Sequence, residues 1–260
     1  MKAVRKFVID ALWVALPFVT VAIVWEIVAR AGIFPPKLFP DIPTIFAAFV
    51  RLLLAGILWA NTEGTLIRLI LGFLLAAVIG VVVGLAMGRY QWVEDILLPV
   101  VSVAYPIPGL AYAPLFVLWF GLGDLPAVLL VGVASCFSII LNIWKGVKTV
   151  KPIWLRAAAS MGAREQQMFR KVILPASLPY VLTGLRLGMA QAWRILVAVE
   201  MLTAVQHGLG WMIFGAQQFL NTDVMLSGIA VIGAIGVLLE KQVFARVERY
   251  TLVRWGMLAA

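Results

Sequence analysis

The 260-residue sequence predicts an all-α, polytopic membrane protein with about six transmembrane helices and a cytoplasmic helix between spans 4 and 5. Composition is the first observation behind this. Hydrophobic residues make up 63% of the chain and charged ones only 13%, a balance that soluble domains do not show. Segmentation is the second. A crossing helix needs about 20 mainly apolar residues, and such stretches fall at 11–28, 66–87, 96–120, 125–144, 178–199 and 224–239. Charge placement is the third. With the N-terminus inside, fifteen of the 21 Lys and Arg residues collect on one side, three (Arg30, Lys37, Arg51) on the other, and three (Arg68, Arg186, Arg194) lie within spans. Basic residues concentrate in cytoplasmic loops, so both termini and the loop between spans 4 and 5 are expected in the cytoplasm. The net charge of +9 has the same origin and does not require nucleic acid.

The elements follow in order. The start, MKAVRKFVIDALW, resembles a signal peptide, but the apolar run continues to Val28 without a small-residue cleavage site and reads as an uncleaved span. Residues 29–65 are long enough to hold an amphipathic interfacial helix around 44–58. In the second span Gly80, Gly84 and Gly88 follow Ala76 at four-residue spacing, a flat face for close helix approach, either within one subunit or at a seam between two. The third span contains Pro106, Pro108 and Pro114 and must kink or unwind. Its Tyr105-Pro106-Ile107-Pro108-Gly109 segment is expected to free backbone groups of the kind that line pathways, or else to form a plain kink. Gly184 and Gly188 repeat the small-residue spacing in the fifth span. The segment 241–260 alternates basic and aromatic residues and reads as an interfacial tail. The whole of 1–260 is expected to be one transmembrane domain, with its cytoplasmic loop at about 145–175.

Charges inside spans are costly, about 2.5–3.5 kcal/mol each on insertion scales, and so are informative. Arg194 lies about 24 Å along the fifth span, too deep to reach the cytoplasm easily. Glu200, six residues on, sits about 240° around the helix and is a poor partner. Two readings stay open: a structural role, or an aqueous anion pathway lined by Tyr105, Pro106, Pro108, Trp193, Arg194 and Glu200. Glu26 and Arg68 lie at similar outer depth on successive spans and are expected to form a structural pair. Arg186 is shallower and reads as structural. His207 and the loop to Asp223 read as outer surface.

Other classes lack their residues. One Cys and one His exclude a disulfide framework and a multi-ligand His/Cys metal site. A membrane enzyme would need a nucleophile with its base inside the spans, and none is present. An ion-coupled transporter should carry paired intramembrane carboxylates, and only Glu26 and Glu200 are candidates. No phosphate-binding Gly-x-x-x-x-Gly-Lys-Ser/Thr loop occurs, so ATP-driven transport would need a separate ATPase. No internal repeat suggests an inverted-repeat transporter.

The stretch 155–175, LRAAASMGAREQQMFRKVILP, is polar and basic between two apolar spans. Its small residues, Ala157, Ala158, Ala159 and Gly162, would give an exposed helix a flat patch for docking into a groove of another protein. This run resembles the Glu-Ala-Ala loop of ATP-binding-cassette importer permeases, whose pattern is E-A-A-x3-G-x9-I-x-L-P. Ala157, Ala158, Gly162, Leu174 and Pro175 match, Val172 stands for the isoleucine, and Arg156 replaces the glutamate. The segments 38–43 (LFPDIP), 65–68 (TLIR), 114–121 (PLFVLWFG) and 209–210 (LG) extend the resemblance to the nitrate, sulfonate and taurine branch, many members of which have Lys where Gly109 stands. The resemblance implies a permease of the bacterial inner membrane, paired with a second copy of itself and working by alternating access. It implies two ATP-binding-cassette subunits, which would bind ATP and Mg and dock on Arg156, Ala157, Ala158, Ala159, Ser160, Met161, Gly162 and Ala163. An extracytoplasmic solute-binding protein would deliver a small solute (nitrate, a sulfonate, taurine, bicarbonate or a neutral pyrimidine). The chain itself would bind no cofactor and do no covalent chemistry.

Overall fold

The computed structural model describes residues 2–244 and 246, and among them every regular element is helical. Within the expected 1–260 domain, chain packing forms two compact units. One comprises residues up to Ala60 with Met212–Val231; the other comprises Asn61–Trp211 with the described residues from Ile232 onward. Most of the tail expected at 241–260 lies outside the described residues.

The first unit is organised by a loop that the sequence marks with Phe39-Pro40-Asp41-Ile42-Pro43. Helix α1 (Lys2–Arg30) ends near it, and Trp25 stacks on Phe39 with ring centroids 4.1 Å apart. The Trp25 indole N–H donates to the Pro40 carbonyl at 3.0 Å. Asp41 caps α2 (Ile42–Leu54) by accepting from the Thr44 N–H at 3.0 Å, with Pro43 in the first turn where its missing N–H costs nothing. The side-chain and backbone hydrogen bonds from Thr44 hold the Asp41 carboxyl below its ordinary range. Helix α2 takes the place of the expected 44–58 interfacial helix and leaves Phe46, Leu53 and Leu54 exposed.

In the second unit, α3 (Ile57–Arg89) and α9 (Leu174–Leu202) both pack on α6 (Asp124–Lys148), whose Leu130, Val131, Ile139 and Ile143 are fully buried. Lipid is as apolar as a leucine side chain, so these helices associate through close packing more than through a hydrophobic drive. Small residues make that approach possible. A Cβ on Gly80 would lie 2.6 Å from Ile139 Cβ, on Gly84 2.9 Å from Ile143 Cβ, and on Gly88 2.5 Å from Val147 Cβ. The α3 glycine row therefore packs inside the subunit, onto a helix running parallel to it. Gly184 and Gly188 of α9 meet the same part of α6 from the antiparallel direction.

Four helical stretches among the described residues are long and apolar enough to cross a membrane: Ile57–Arg89, Asp124–Lys148, Glu165–Leu202 and Thr222–Gln242. The first expected span lies within α1. The third expected span, 96–120, does kink and partly unwind at its prolines. It consists of α4 (Gln91–Ala104) and a 3-10 turn at Gly109–Tyr112 leading into α5 (Ala113–Phe120), and the two halves meet at 93°. Pro106 and Pro108 lack the N–H groups that would continue the ladder, and each proline disfavours helix at the residue before it.

Candidate docking helix and buried polar sites

The polar loop folds into α7 (Pro152–Ser160), which stops at Met161 and Gly162. Gly162 has φ +74°, its N–H donates to the Ala159 carbonyl at 2.9 Å, and the Ala163 N–H donates to the Ala158 carbonyl at 3.0 Å. This pair of reversed bonds is the Schellman motif, and the left-handed residue it requires is the reason for glycine here. The sequence reading took Gly162 as part of a flat docking patch. No neighbour approaches its missing side chain, so its role inside the chain is to end the helix. The patch is corrected as well. Ile153, Trp154, Ala157 and Met161 fall within about a 100° arc of α7 and are exposed, Met161 by 80%, so the small residue sits among large apolar ones. Arg156 and Ala159 are exposed on the flanks, and the Ser160 hydroxyl donates back to the Arg156 carbonyl at 3.0 Å. Ala158 is buried and Ala163 half-buried on the side facing the bundle.

Beyond α7 the chain runs through Ile173-Leu174-Pro175 without ending its helix. Short α8 (Glu165–Met168) passes through a π-helical turn, Phe169–Ile173, directly into α9, and the Leu174 N–H reaches back five residues to Phe169. A Pro175 ring in a regular α-turn would clash with the carbonyl four residues earlier, and the wider turn relieves that clash. The Gln167 side chain caps the new start by accepting from the Arg164 N–H at 2.8 Å. Arg89, at the end of α3, pairs with Glu165 at 2.6 Å and lies over the Phe169 ring, which anchors the segment to the bundle.

The expected Glu26–Arg68 pair requires correction, because each charge is satisfied within its own unit. Glu26 accepts from Arg30 and from the Ile42 N–H. Arg68 uses all three guanidinium nitrogens: Nη1 donates to Glu200 at 2.6 Å, Nε to Asp124 at 2.7 Å, and Nη2 to the His207 carbonyl. Glu200 is fully buried and accepts also from the Thr65 hydroxyl at 3.0 Å and the Gly210 N–H at 3.0 Å. Thr65 in turn accepts from the Leu209 N–H, and Asn61 from the Gly208 N–H. A Cβ on Gly208 would lie 2.7 Å from the Glu200 carboxyl carbon, so the loop can close over the acid only with glycine there. Glu200 therefore belongs to a structural knot that ties the loop after α9 to the starts of α3 and α6. It does not line a pathway. Asp124 and Thr65 escaped the sequence reading because no spacing links them to residues some 60 or 135 positions away.

The remaining pathway candidates divide between two cavities. Tyr105, Pro106 and Pro108 line a pocket of about 290 Å³ with Tyr112, Ser138 and Gln191. Trp193 and Arg194 line a groove of about 510 Å³ between α9 and α10 (Thr222–Leu238), which also holds Arg186. Arg186 pairs with Glu240 at 3.5 Å. Arg194 donates to the Ala190 carbonyl at 3.1 Å and to the Gln191 side-chain oxygen at 3.4 Å, and among the described residues no carboxylate pairs with it. Gly109 is buried against Ala134 and Ile195 and has no space for a side chain.

Apolar helices long enough to cross a membrane, a capped exposed helix between two of them and a broken span beside a polar pocket are the features of a membrane transport subunit. Residues 76–244 match the profile of the binding-protein-dependent transport system inner membrane components, and the chain belongs to that family. It is 38% identical over 233 residues to the taurine transport system permease protein TauC of Escherichia coli (strain K12), covering 88% of this chain and 84% of that one. It is 33% identical over 240 residues to the putative aliphatic sulfonates transport permease protein SsuC of Bacillus subtilis (strain 168), covering 92% and 86%. Two inward-facing structures of the MetNI methionine ABC transporter share the fold at 20% identity. Their TM-scores are 0.55 and 0.58, over 76% and 77% of this chain and 95% and 97% of theirs. The chain is thus a permease subunit of an ATP-binding-cassette transport system, and the all-α polytopic fold agrees with the sequence reading.

Proposed function

We propose that this permease imports a small organic sulfonate of the taurine type, as one half of a homodimer seated on two ATPase subunits and loaded by an extracytoplasmic binding protein. The observation that carries the docking assignment is the exposed apolar face of α7, with Ile153, Trp154, Ala157 and Met161 projecting from a helix closed at its C-terminal end by the Gly162 cap and followed at once by the Arg89–Glu165 pair. Such a face suits a hydrophobic groove, with large side chains as anchors. The orientation draws on the same end of the bundle. Arg89, Lys145, Lys148, Lys151, Arg156, Arg164, Arg170 and Lys171 cluster around α7, which supports a cytoplasmic position for that end. ATP and Mg would bind the partner subunits, whose closure would rock the two permease bundles between outward- and inward-open states. The substrate class rests on the taurine and aliphatic sulfonate relatives.

The test is co-expression with the cognate ATPase. Met161→Asp puts a charge on the centre of the docking face and should abolish co-purification of the ATPase and uptake of substrate, while the permease itself still folds. Intact co-purification and normal uptake would overturn the docking assignment.

A further inference from the structure

We infer that the pocket at the broken third span is a substrate subsite of the permease itself, and that it takes the sulfonate group of the solute. This rests on the sulfonate reading above. Depth is the first reason. Along α6 the pocket residue Ser138 lies about 21 Å from the Asp124 end of a helix about 37 Å long, and along α9 Gln191 lies about 16 Å from the Leu202 end. Both counts put the pocket near mid-membrane. Non-helical backbone at that depth is tolerated where protein or a water-filled cavity surrounds it, and broken helices at the midplane are a recurrent place for transported solutes.

The second reason is the lining. Tyr105, Tyr112 and Ser138 present hydroxyls, and among the described residues no hydrogen bond within the chain engages them. Gln191 adds a side-chain amide. Its oxygen accepts from Arg194, and because a guanidinium can only donate, this turns the amide NH₂ away from the arginine. No carboxylate lines the pocket. The set therefore offers hydrogen-bond donors to an anion, with a positive charge one side chain behind them and none in direct contact. A sulfonate suits this arrangement: its three oxygens accept from several donors at once, and its low basicity leaves no proton to be exchanged. Neutral donors also bind weakly enough to release what they hold, which a transit site requires. About 290 Å³ accommodates a small solute with a few waters.

The experiment uses the complete complex of permease, ATPase and binding protein in proteoliposomes, with labelled taurine. Gln191→Glu keeps the shape and can still pair with Arg194, so the complex should assemble, but it faces the sulfonate with a carboxylate and should raise KM at least about tenfold. Tyr112→Phe removes one donor and should raise KM by up to about tenfold. As a second readout, Ser138→Cys in a Cys136→Ala background should react with a sulfonate-bearing thiol reagent, and taurine should slow that reaction. An unchanged KM for Gln191→Glu in normally assembled complex overturns the site, as does thiol modification that taurine does not slow. Wild-type complex that carries another anion but no sulfonate overturns the substrate reading instead, and the sulfonate assignment with it.

Discussion

Replacing Glu200 by Gln tests the buried knot with the least change of shape. Arg68 and Glu200 have side chains 6% and 0% exposed, so their 2.6 Å contact is hardly screened by solvent. The amide can still accept from Arg68 through its oxygen. Its NH₂ cannot accept from the Thr65 hydroxyl or the Gly210 N–H, which both now bond Glu200 Oε2. The change therefore leaves a buried guanidinium short of its counter-charge and a buried backbone N–H without a partner. Breaking a buried pair from one side costs about 3–5 kcal/mol. The exposed third member, Asp124, is 70% accessible and offsets little of this, because exposed ion pairs contribute about 0–1 kcal/mol. Taking about 3 kcal/mol and about 2–4 °C per kcal/mol for a chain of this size, the melting temperature should fall by about 6–12 °C. The chain carries its own reporter. Cys136 is its only cysteine, is buried in α6, and becomes reactive to a thiol dye as the bundle opens. Asp124→Asn should shift the same curve by about 4 °C at most. A Glu200→Gln melt within a degree or two of wild type, or an Asp124→Asn drop as large as that of Glu200→Gln, would refute the ordering of these effects.

Three further outcomes follow from the geometry. Gly162→Ala strains a left-handed residue by about 1–2 kcal/mol and should weaken ATPase co-purification, whereas Gly162→Asn, which tolerates that backbone, should retain most of it; equal loss in both would assign Gly162 to direct contact with the partner. Gly80→Ala places a methyl 2.6 Å from Ile139 and should lower stability by about 1–3 kcal/mol, although alanine is the better helix former; a higher melting temperature would show that α3 and α6 are looser than described. Arg194→Gln removes the charge that orients Gln191 and should raise KM for an anionic substrate while the complex still assembles; unchanged uptake would confine Arg194 to a structural role.

The parts of the fold written in local pattern were legible in the sequence. Apolar runs located the spans, the four-residue glycine spacing announced a close packing face, and the Ala157–Gly162 pattern placed α7. Angles and partners were not legible. Pro106 and Pro108 signalled a break, but whether the halves stay collinear or meet at 93° depends on how Gly109 packs on Ala134 and Ile195. Pro175 lies inside a continuous helical stretch, which the rule against proline within a helix does not foresee because that rule assumes α-geometry, and one π-turn suspends it. The Glu26–Arg68 pairing failed for a different reason. Similar depth says nothing of azimuth, and Arg68 meets instead an acid that lies at the far end of a helix running the other way.

The π-turn at Phe169–Ile173 also makes the chain's length there more constrained than its composition. Glu165 to Leu202 is one 38-residue rod, with the proposed docking segment at one end and the Glu200 knot at the other. Removing a single residue from the turn would rotate everything upstream by about 100° relative to everything downstream. Glu165 would then be carried away from Arg89, and the setting of α7 against the bundle would change with it. Substitutions at the exposed Arg170 and Lys171 should therefore be tolerated, while insertions and deletions anywhere in 169–173 should be lethal to coupling, so that this short stretch sets the phase between the two ends of the machine.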